Sequence, residues 1–479
     1  MNNKCIWNKY SKKQLKELES FSSDYIRFIS ECKTERECVD EIVNRIEKEG
    51  YVELSKKMKT GERLTAGDKI YAVNKNKALI MIHVGKEKLE QGVNILGAHI
   101  DSPRLDVKQN PLYEDTGIAY LDTHYYGGIK KYQWVTIPLA IHGVVVKKDG
   151  KEVIINLGEQ EEDPVFFISD LLIHLSQEQL EKKAAKVIEG EALDVIIGNR
   201  PLKKEKNKDE KETDKKSDSE KEDDEVKDAV KKSVLSILEE YYGIEEEDFL
   251  SAELEIVPAG KAREAGLDRS MIMGYGQDDR VCAYPSFQAM LAVKDLNKTA
   301  VCILTDKEEI GSVGATGMQS RFFENVMAEL CALTGEYSDL MLRRMLANSN
   351  MLSSDVSSAY DPSYASSFDK KNVAYLGKGL VLCKFTGSRG KSGSNDANAE
   401  YIGTLRQIFD KDDVNFQLAE LGKVDLGGGG TIAYMLAKYG MNVIDCGVAV
   451  LNMHAPSEVT SKADLYETYR GYVSFINRM

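Results

Sequence analysis

The sequence predicts an α/β protein, a mixed sheet with helices on both faces, interrupted by an inserted β-rich unit; three observations carry that expectation. After Phe249, apolar runs of strand length alternate with longer runs at helical spacing, as in "TAVCILT" followed by "FFENVMAELCALTGEY". That alternation is the rhythm of strands and crossover helices in one sheet. The middle of the chain carries short β-rich runs instead. At 479 residues the chain is long enough for two cores.

Taken in order, Ser11 to Glu49 reads as helical, because apolar residues such as Cys38, Ile42, Val43 and Ile46 recur at that spacing and Gly50 stops it. The runs "ALIMIHV", "NILGAHI", "WVTIPLAIHGVVV" and "KEVIINLG" follow, the last two joined by the hairpin-type turn "KKDG". From Pro201 to Lys232, 23 of 32 residues are charged, 11 lysines against 12 acids. So little apolar surface cannot offset the entropy of ordering, so residues 201–232 read as a solvated flexible insertion, with a charged helix docking a partner as the alternative. Beyond it come "ELEIVPA", "AYPSFQAMLAVKDL", "TAVCILT", "FFENVMAELCALTGEY", "NSNMLSSDV", "LAELGKV", "TIAYMLAKYG" and "NVIDCGVAVLNM", the strands and helices of the α/β part.

Composition narrows the function. A formal charge of −14 argues against nucleic acid and anionic membrane as partners. No window holds the roughly 18 apolar residues of a membrane helix, and the first residues contain no apolar leader core. A cytoplasmic protein is expected. The eight cysteines are scattered, most within apolar runs, without a CxxC pair, and read as reduced core thiols.

In open α/β sheets, ligands sit beyond the carboxyl ends of strands, and five such places here carry polar residues. His99 and Asp101 follow "NILGA"; Asp278 and Asp279 lie in "GYGQDDR"; Glu308 and Glu309 follow "TAVCILTDK"; Asp355 follows "NMLSS"; His454 follows "CGVAVLNM". Singly, each is an ordinary cap, turn or satisfied histidine. Together, two histidines and three carboxylates with a spare glutamate compose a two-metal hydrolytic site. Asp101, two residues after His99, fits the carboxylate that takes an imidazole's other N–H and aims the ring. The four glycines of "LGGGGTIAYML", Gly429 among them, either admit a substrate backbone closely or serve a flexible loop.

The set "GAHIDSPRL", "GQDDR", "DKEEIGS", "SSDVSSAYDP" and "LNMHAPSE" resembles the M18 metalloaminopeptidases, the aspartyl aminopeptidase family, over nearly the whole chain. The resemblance implies a zinc-exopeptidase-like sheet and two divalent metal ions per subunit, zinc foremost, with cobalt or manganese as alternatives. Asp278 would bridge them, His99 and Asp355 completing one site, Glu309 and His454 the other. Glu308 would be the general base toward a metal-activated water that removes the N-terminal residue from peptides with a free N-terminus.

It further implies a catalytic domain, residues 1–105 and 251–479, interrupted by a dimerisation domain at 106–250, with dimers building a homododecamer. By family position Lys384 lines the substrate side-chain pocket. Two departures bear on substrate: Ser358 and Asp361 stand where acidic-substrate members carry histidines, and Asp170 replaces a histidine supplied by a neighbouring subunit. If Asp361 lines the pocket, neutral N-terminal residues are expected to be cleaved at least as well as acidic ones. The same ligand order serves related dinuclear carboxypeptidases and deacylases, and a catalytically idle assembly protein is a further alternative, against which the spare Glu308 argues.

Overall fold

The computed structural model describes residues 5–202, 227–335, 337–387, 391, 393 and 395–479. They divide into two compact units, the first of residues 1–103, 127–129 and 261–479, the second of residues 104–126 and 130–260.

Along the chain the strands are β1 (Val52–Glu53), β2 (Lys69–Asn74), β3 (Ala78–His83) and β4 (Asn94–His99), then β5 (Arg104–Asp115), β6 (Ile118–Tyr126), β7 (Leu139–Val146), β8 (Glu152–Leu157), β9 (Val195–Gly198) and β10 (Ala252–Pro258). After these come β11 (Arg263–Ala265), β12 (Met271–Gly274), β13 (Ala300–Thr305), β14 (Asn350–Ser353), β15 (Ser357–Ser358), β16 (Leu380–Cys383), β17 (Phe416–Leu418), β18 (Asn442–Gly447), β19 (Ala449–Leu451) and β20 (Glu458–Ser461).

The first unit is built on a nine-stranded mixed sheet in the order β1-β2-β3-β13-β4-β14-β18-β16-β17. Its centre, β13-β4-β14-β18, is parallel. These strands read as unbroken apolar runs because both faces are covered. Leu79 and Met81 of β3, Leu96 and Ala98 of β4, and Cys302 and Leu304 of β13 enter one core, with the helices Lys12–Glu31, Glu35–Lys48, Gln277–Ala292, Ala399–Lys411 and Lys462–Arg478. Their neighbours Ile80, Ile82, Ile95, Val301 and Ile303 enter the other, beneath Phe322–Thr334, Asp339–Ala347 and Ala433–Ala437.

The N-terminal helical stretch breaks once. Thr34 caps the second helix, its hydroxyl accepting the Glu37 N–H while the Glu37 carboxylate accepts the Thr34 N–H. "NVIDCGVAVLNM" makes two strands, β18 in the large sheet and β19 in a smaller one of order β11-β12-β20-β19-β15.

The second unit is a six-stranded antiparallel sheet, β8-β7-β10-β5-β6-β9. Strand β10, which the sequence pattern assigns to the α/β part, pairs with β7 and β5 here, so this unit runs ten residues beyond Leu250. A second difference concerns the charged tract. Residues 203–226 lie outside the described residues, but Ala229 to Lys232 open the helix Ala229–Tyr242 instead of continuing a flexible insertion. Val230 is buried, and the Glu114 carboxylate accepts the Val230 and Lys231 N–H groups at 2.8 and 2.9 Å. A carboxylate on free N-terminal N–H groups stabilises a helix start. Among the described residues no helix is long and apolar enough to cross a membrane.

Candidate metal centre

Register delivers the site. Thr305 lies beside His99, and Ser353 beside Gly97 and Asp445, so whatever follows β4, β13 and β14 emerges at one sheet end. His99 closes β4, Glu308 and Glu309 sit on a short turn after β13, and Asp355 follows β14. The smaller sheet supplies the rest. Strand β12 leads into the helix Gln277–Ala292, whose second and third residues, Asp278 and Asp279, have non-helical backbone and are joined by a cis peptide bond. His454 occupies the turn between β19 and β20 with a left-handed backbone, φ 65°.

Asp278 stands at the centre. Its Oδ1 is 3.2 Å from His99 Nε2 and its Oδ2 3.2 Å from His454 Nε2. Glu309 Oε2 is 3.6 Å from the same His454 nitrogen, and Glu308 Oε2 4.0 Å from His99 Nε2. Three groups of potential ligand atoms result, each within 4.8 Å: His99–Asp278–Asp355 and Asp278–Glu309–His454, which share Asp278, and His99–Glu308–Glu309. Clusters of this composition indicate a dinuclear metal site.

Each imidazole is oriented from behind. His99 Nδ1 lies 3.0 Å from the Asp101 carbonyl and 3.3 Å from its carboxylate, and His454 Nδ1 lies 2.8 Å from the Gly128 carbonyl. Both Nε2 atoms are thereby left for the centre. Asp101 also steadies the neighbouring turn, because its carboxylate oxygens accept the Glu308 and Glu309 N–H groups at 3.2 Å each.

Protonation follows from crowding. Burial raises Glu308 to about 7, helped by the neighbouring Asp278 and Asp101 carboxylates. Burial likewise pushes Glu309, Asp355 and Asp279 well up. Burial opposes charge on the imidazoles but is outweighed by acceptors: Asp101 and Asp278 raise His99, and Asp278 and Glu309 raise His454 to about 10. Asp278 is buried too, yet His454 and His99 hold its carboxyl well below the usual range. Glu309 Oε1 and Asp279 Oδ1 are buried without a hydrogen-bond partner among the described residues. Two imidazoles, surplus carboxylates and orphaned oxygens fit cations, and the nitrogen and oxygen donor set suits zinc.

A cavity of about 700 Å3 opens on this cluster and is also lined by Gly427 to Gly430, Tyr434 and Met435. Gly429 therefore lines it. Two expected pocket residues have partners of their own. Lys384 Nζ pairs with Asp396 at 3.0 Å and lies over the Phe385 ring, while Asp361 caps the turn Pro362–Ser367 by accepting the Ser363 N–H at 2.8 Å. Lys391 lines the cavity instead. Asp170 is exposed, accepting from the Leu171 N–H and the Gln179 amide.

Sequence reasoning missed Glu458. Its buried carboxylate accepts the His454 N–H at 2.8 Å and the Asp278 N–H at 3.2 Å, and burial next to Asp278 raises it to about 8. The signal was an acid four residues after His454, opening an otherwise uncharged strand.

Comparison with known proteins is consistent along the chain. Residues 28–476 match the family described as Aminopeptidase I zinc metalloprotease (M18). A Clostridium acetobutylicum protein called Probable M18 family aminopeptidase 1 is 61% identical over 474 residues, covering 99% of this chain and 98% of the relative. The crystal structure of an M18-family aminopeptidase from Thermotoga maritima superposes with a TM-score of 0.91 at 44% identity, covering 100% of both chains. A structure described as the S. cerevisiae mApe1 dodecamer shares the fold, with a TM-score of 0.75 at 20% identity over 96% of this chain and 97% of that one.

Proposed function

The chain belongs to the M18 family of zinc aminopeptidases, and from that premise we propose how its residues divide the work. The enzyme is a metal-dependent aminopeptidase, a hydrolase. His99, Asp278 and Asp355 would hold one divalent ion, and Asp278, Glu309 and His454 the other, zinc foremost. The observation that carries this reading is the placement of the two imidazole Nε2 atoms on opposite oxygens of one carboxylate, 3.2 Å each.

Two divalent ions held there would supply Lewis acidity for activating a water and polarising the peptide carbonyl. The chain's residues do the rest. Glu308, on the cavity wall and raised to about 7 by burial, accepts a proton from the attacking water and returns it to the departing amine, as a group poised near working pH can. Asp101 keeps both glutamates in place through their N–H groups and holds the His99 ring.

The inserted unit is the assembly domain of a homo-oligomer, a dodecamer like the one described for mApe1. Supporting this, Leu172, Ile173, Leu175 and Leu180 in that unit are more than half exposed, and clustered exposed apolar side chains mark interfaces. The free cysteines fit a reducing compartment, and we place the enzyme in the cytoplasm.

One experiment tests the core of the proposal. After chelation, the protein is reloaded with zinc, cobalt or manganese and offered aminoacyl p-nitroanilides beside N-acyl amino acids. Zinc-restored hydrolysis of the anilides alone is expected. Hydrolysis of N-acyl amino acids, or activity indifferent to chelation, overturns it.

A further inference from the structure

One buried carboxylate in the cavity wall takes no part in the metal cluster. Asp445 lies in β18, 2% exposed, and its side chain lines the cavity. An ionisable group inside the strand "NVIDCG" is costly unless it is fully hydrogen-bonded. Its partners come from two different segments. Thr431, which ends the glycine run, donates its hydroxyl to Asp445 Oδ1, and Thr386, after β16, donates its hydroxyl to Oδ2 at 3.2 Å. Asn395 extends the second arm: its side chain also bonds toward the Asp445 carboxyl, its N–H is 3.1 Å from Thr386 Oγ1 and its amide donates to the Val443 carbonyl at 2.9 Å.

The same two segments meet again through their backbones, the Gly387 N–H donating to the Gly429 carbonyl at 2.8 Å. Both segments line the cavity, one through Phe385, Thr386 and Gly387 and the other through Gly427 to Thr431. The glycine run has no side chains to anchor it, so its position depends on backbone bonds such as the one at Gly429 and on what grips its ends. Burial raises the Asp445 carboxyl to about 7 even with these donors present.

We propose that Asp445 is a positioning residue for substrate binding: by gripping Thr386 and Thr431 with one oxygen each, it fixes the two wall segments at the separation that receives the substrate's N-terminal residue. This rests on the aminopeptidase reading of the cavity. The clamp touches neither the metal cluster nor Glu308, so its loss weakens substrate and transition state alike, which raises KM and spares kcat.

The test uses the full-length protein loaded with zinc and the aminoacyl p-nitroanilide that wild type cleaves best. Thr386→Val with Thr431→Val removes both donated hydroxyls while keeping side-chain shape. Asp445→Asn keeps a group able to bond both hydroxyls, and Asp445→Ala removes the clamp. We expect the double threonine variant and Asp445→Ala to raise KM at least tenfold, with kcat within threefold and two zinc ions per chain. Asp445→Asn should recover most of the loss. If Asp445→Ala does not fold, the threonine pair decides alone. An unchanged KM in the threonine pair, or a fall in kcat or zinc content in place of the KM effect, overturns the proposal. Failure of the aminopeptidase reading looks different, because wild type itself would then leave every anilide uncut.

Discussion

At the scale of single residues, the adjacent glutamates are expected to respond differently to substitution. Glu308 lies 4.0 Å from His99 Nε2 and is assigned proton transfer, whereas Glu309 lies 3.6 Å from His454 Nε2 and is assigned to metal. Glu308→Gln is therefore expected to lower kcat by at least about a hundredfold, within the range that a general base contributes, with both metals retained. Glu309→Ala should lose metal as well as activity. Elemental analysis giving equal occupancy in the two variants, or near-normal turnover by Glu308→Gln, refutes the division. Protonation gives a second check. In the metal-free cluster His454 is raised to about 10 by Asp278 and Glu309 against burial, so at pH 7 its imidazole carries the proton that a metal must displace. Zinc affinity should rise with pH from 6 to 9, by up to about tenfold per unit for each proton released. Calorimetry in two buffers of different ionisation enthalpy reads that release directly, and a buffer-independent heat contradicts it. The clustering of His99, Asp278, Glu308, Glu309, Asp355 and His454 was legible in the sequence because these residues follow apolar runs. Glu458 and Asp445 were not, since one acts through backbone N–H groups and the other sits inside a strand whose apolar neighbours announce only burial.

Elements show why local pattern succeeded in some stretches and failed in others. The runs of β3, β4 and β13 are apolar at nearly every position because alternate residues enter two different cores, and their length identifies them as strands. Strand β10 has a similar look, yet it pairs in the other sheet, and nothing local distinguishes the partners it will meet. Lys384 and Asp361 show a related limit: a side chain's position in the chain does not reveal the partner it meets, here Asp396 and the Ser363 N–H. The closing helix Lys462–Arg478 offers an element-scale prediction. Asp464 in its first turn accepts the Gly377 and Gly379 N–H groups at 2.7 and 2.6 Å, but burial still pushes its carboxyl up to about 7. Because the folded value exceeds the unfolded one, the folded state holds this proton more tightly. The associated stability is fully present below about pH 4 and is lost as pH rises through 7, at most on the order of 4 kcal/mol. Asp464→Asn cannot ionise. Between pH 5 and pH 8 its urea midpoint should therefore gain on that of wild type, and a difference that stays constant over this range shows that the carboxyl does not titrate there.

Across the whole molecule, the charged tract tests what an insertion contributes. Its composition, with 23 charges in residues 201–232, leaves too little apolar surface to join a core, but the helix that follows shows where the insertion ends. That helix begins at Ala229, capped by the Glu114 carboxylate, so a cut reaching Lys232 removes its first turn and its cap. The two flanks are already joined: the Leu202 N–H donates to the Ala229 carbonyl at 3.0 Å. A hydrogen bond across the gap means that a few residues suffice to bridge it, and a shorter loop lowers the closure entropy slightly, by about 0.6 kcal/mol per halving. Excision of Lys203 to Val226 with a short Gly/Ser bridge is therefore expected to leave native mass, zinc content and kcat/KM within twofold of wild type. Extending the same excision to Lys232 should lower the thermal midpoint, since Val230 leaves the core and Glu114 loses its N–H partners. Light scattering and activity on the two variants separate the contributions. Dissociation of the shorter deletion would show that the tract itself holds subunits together, and equal melting of both variants would show that the capped first turn contributes nothing.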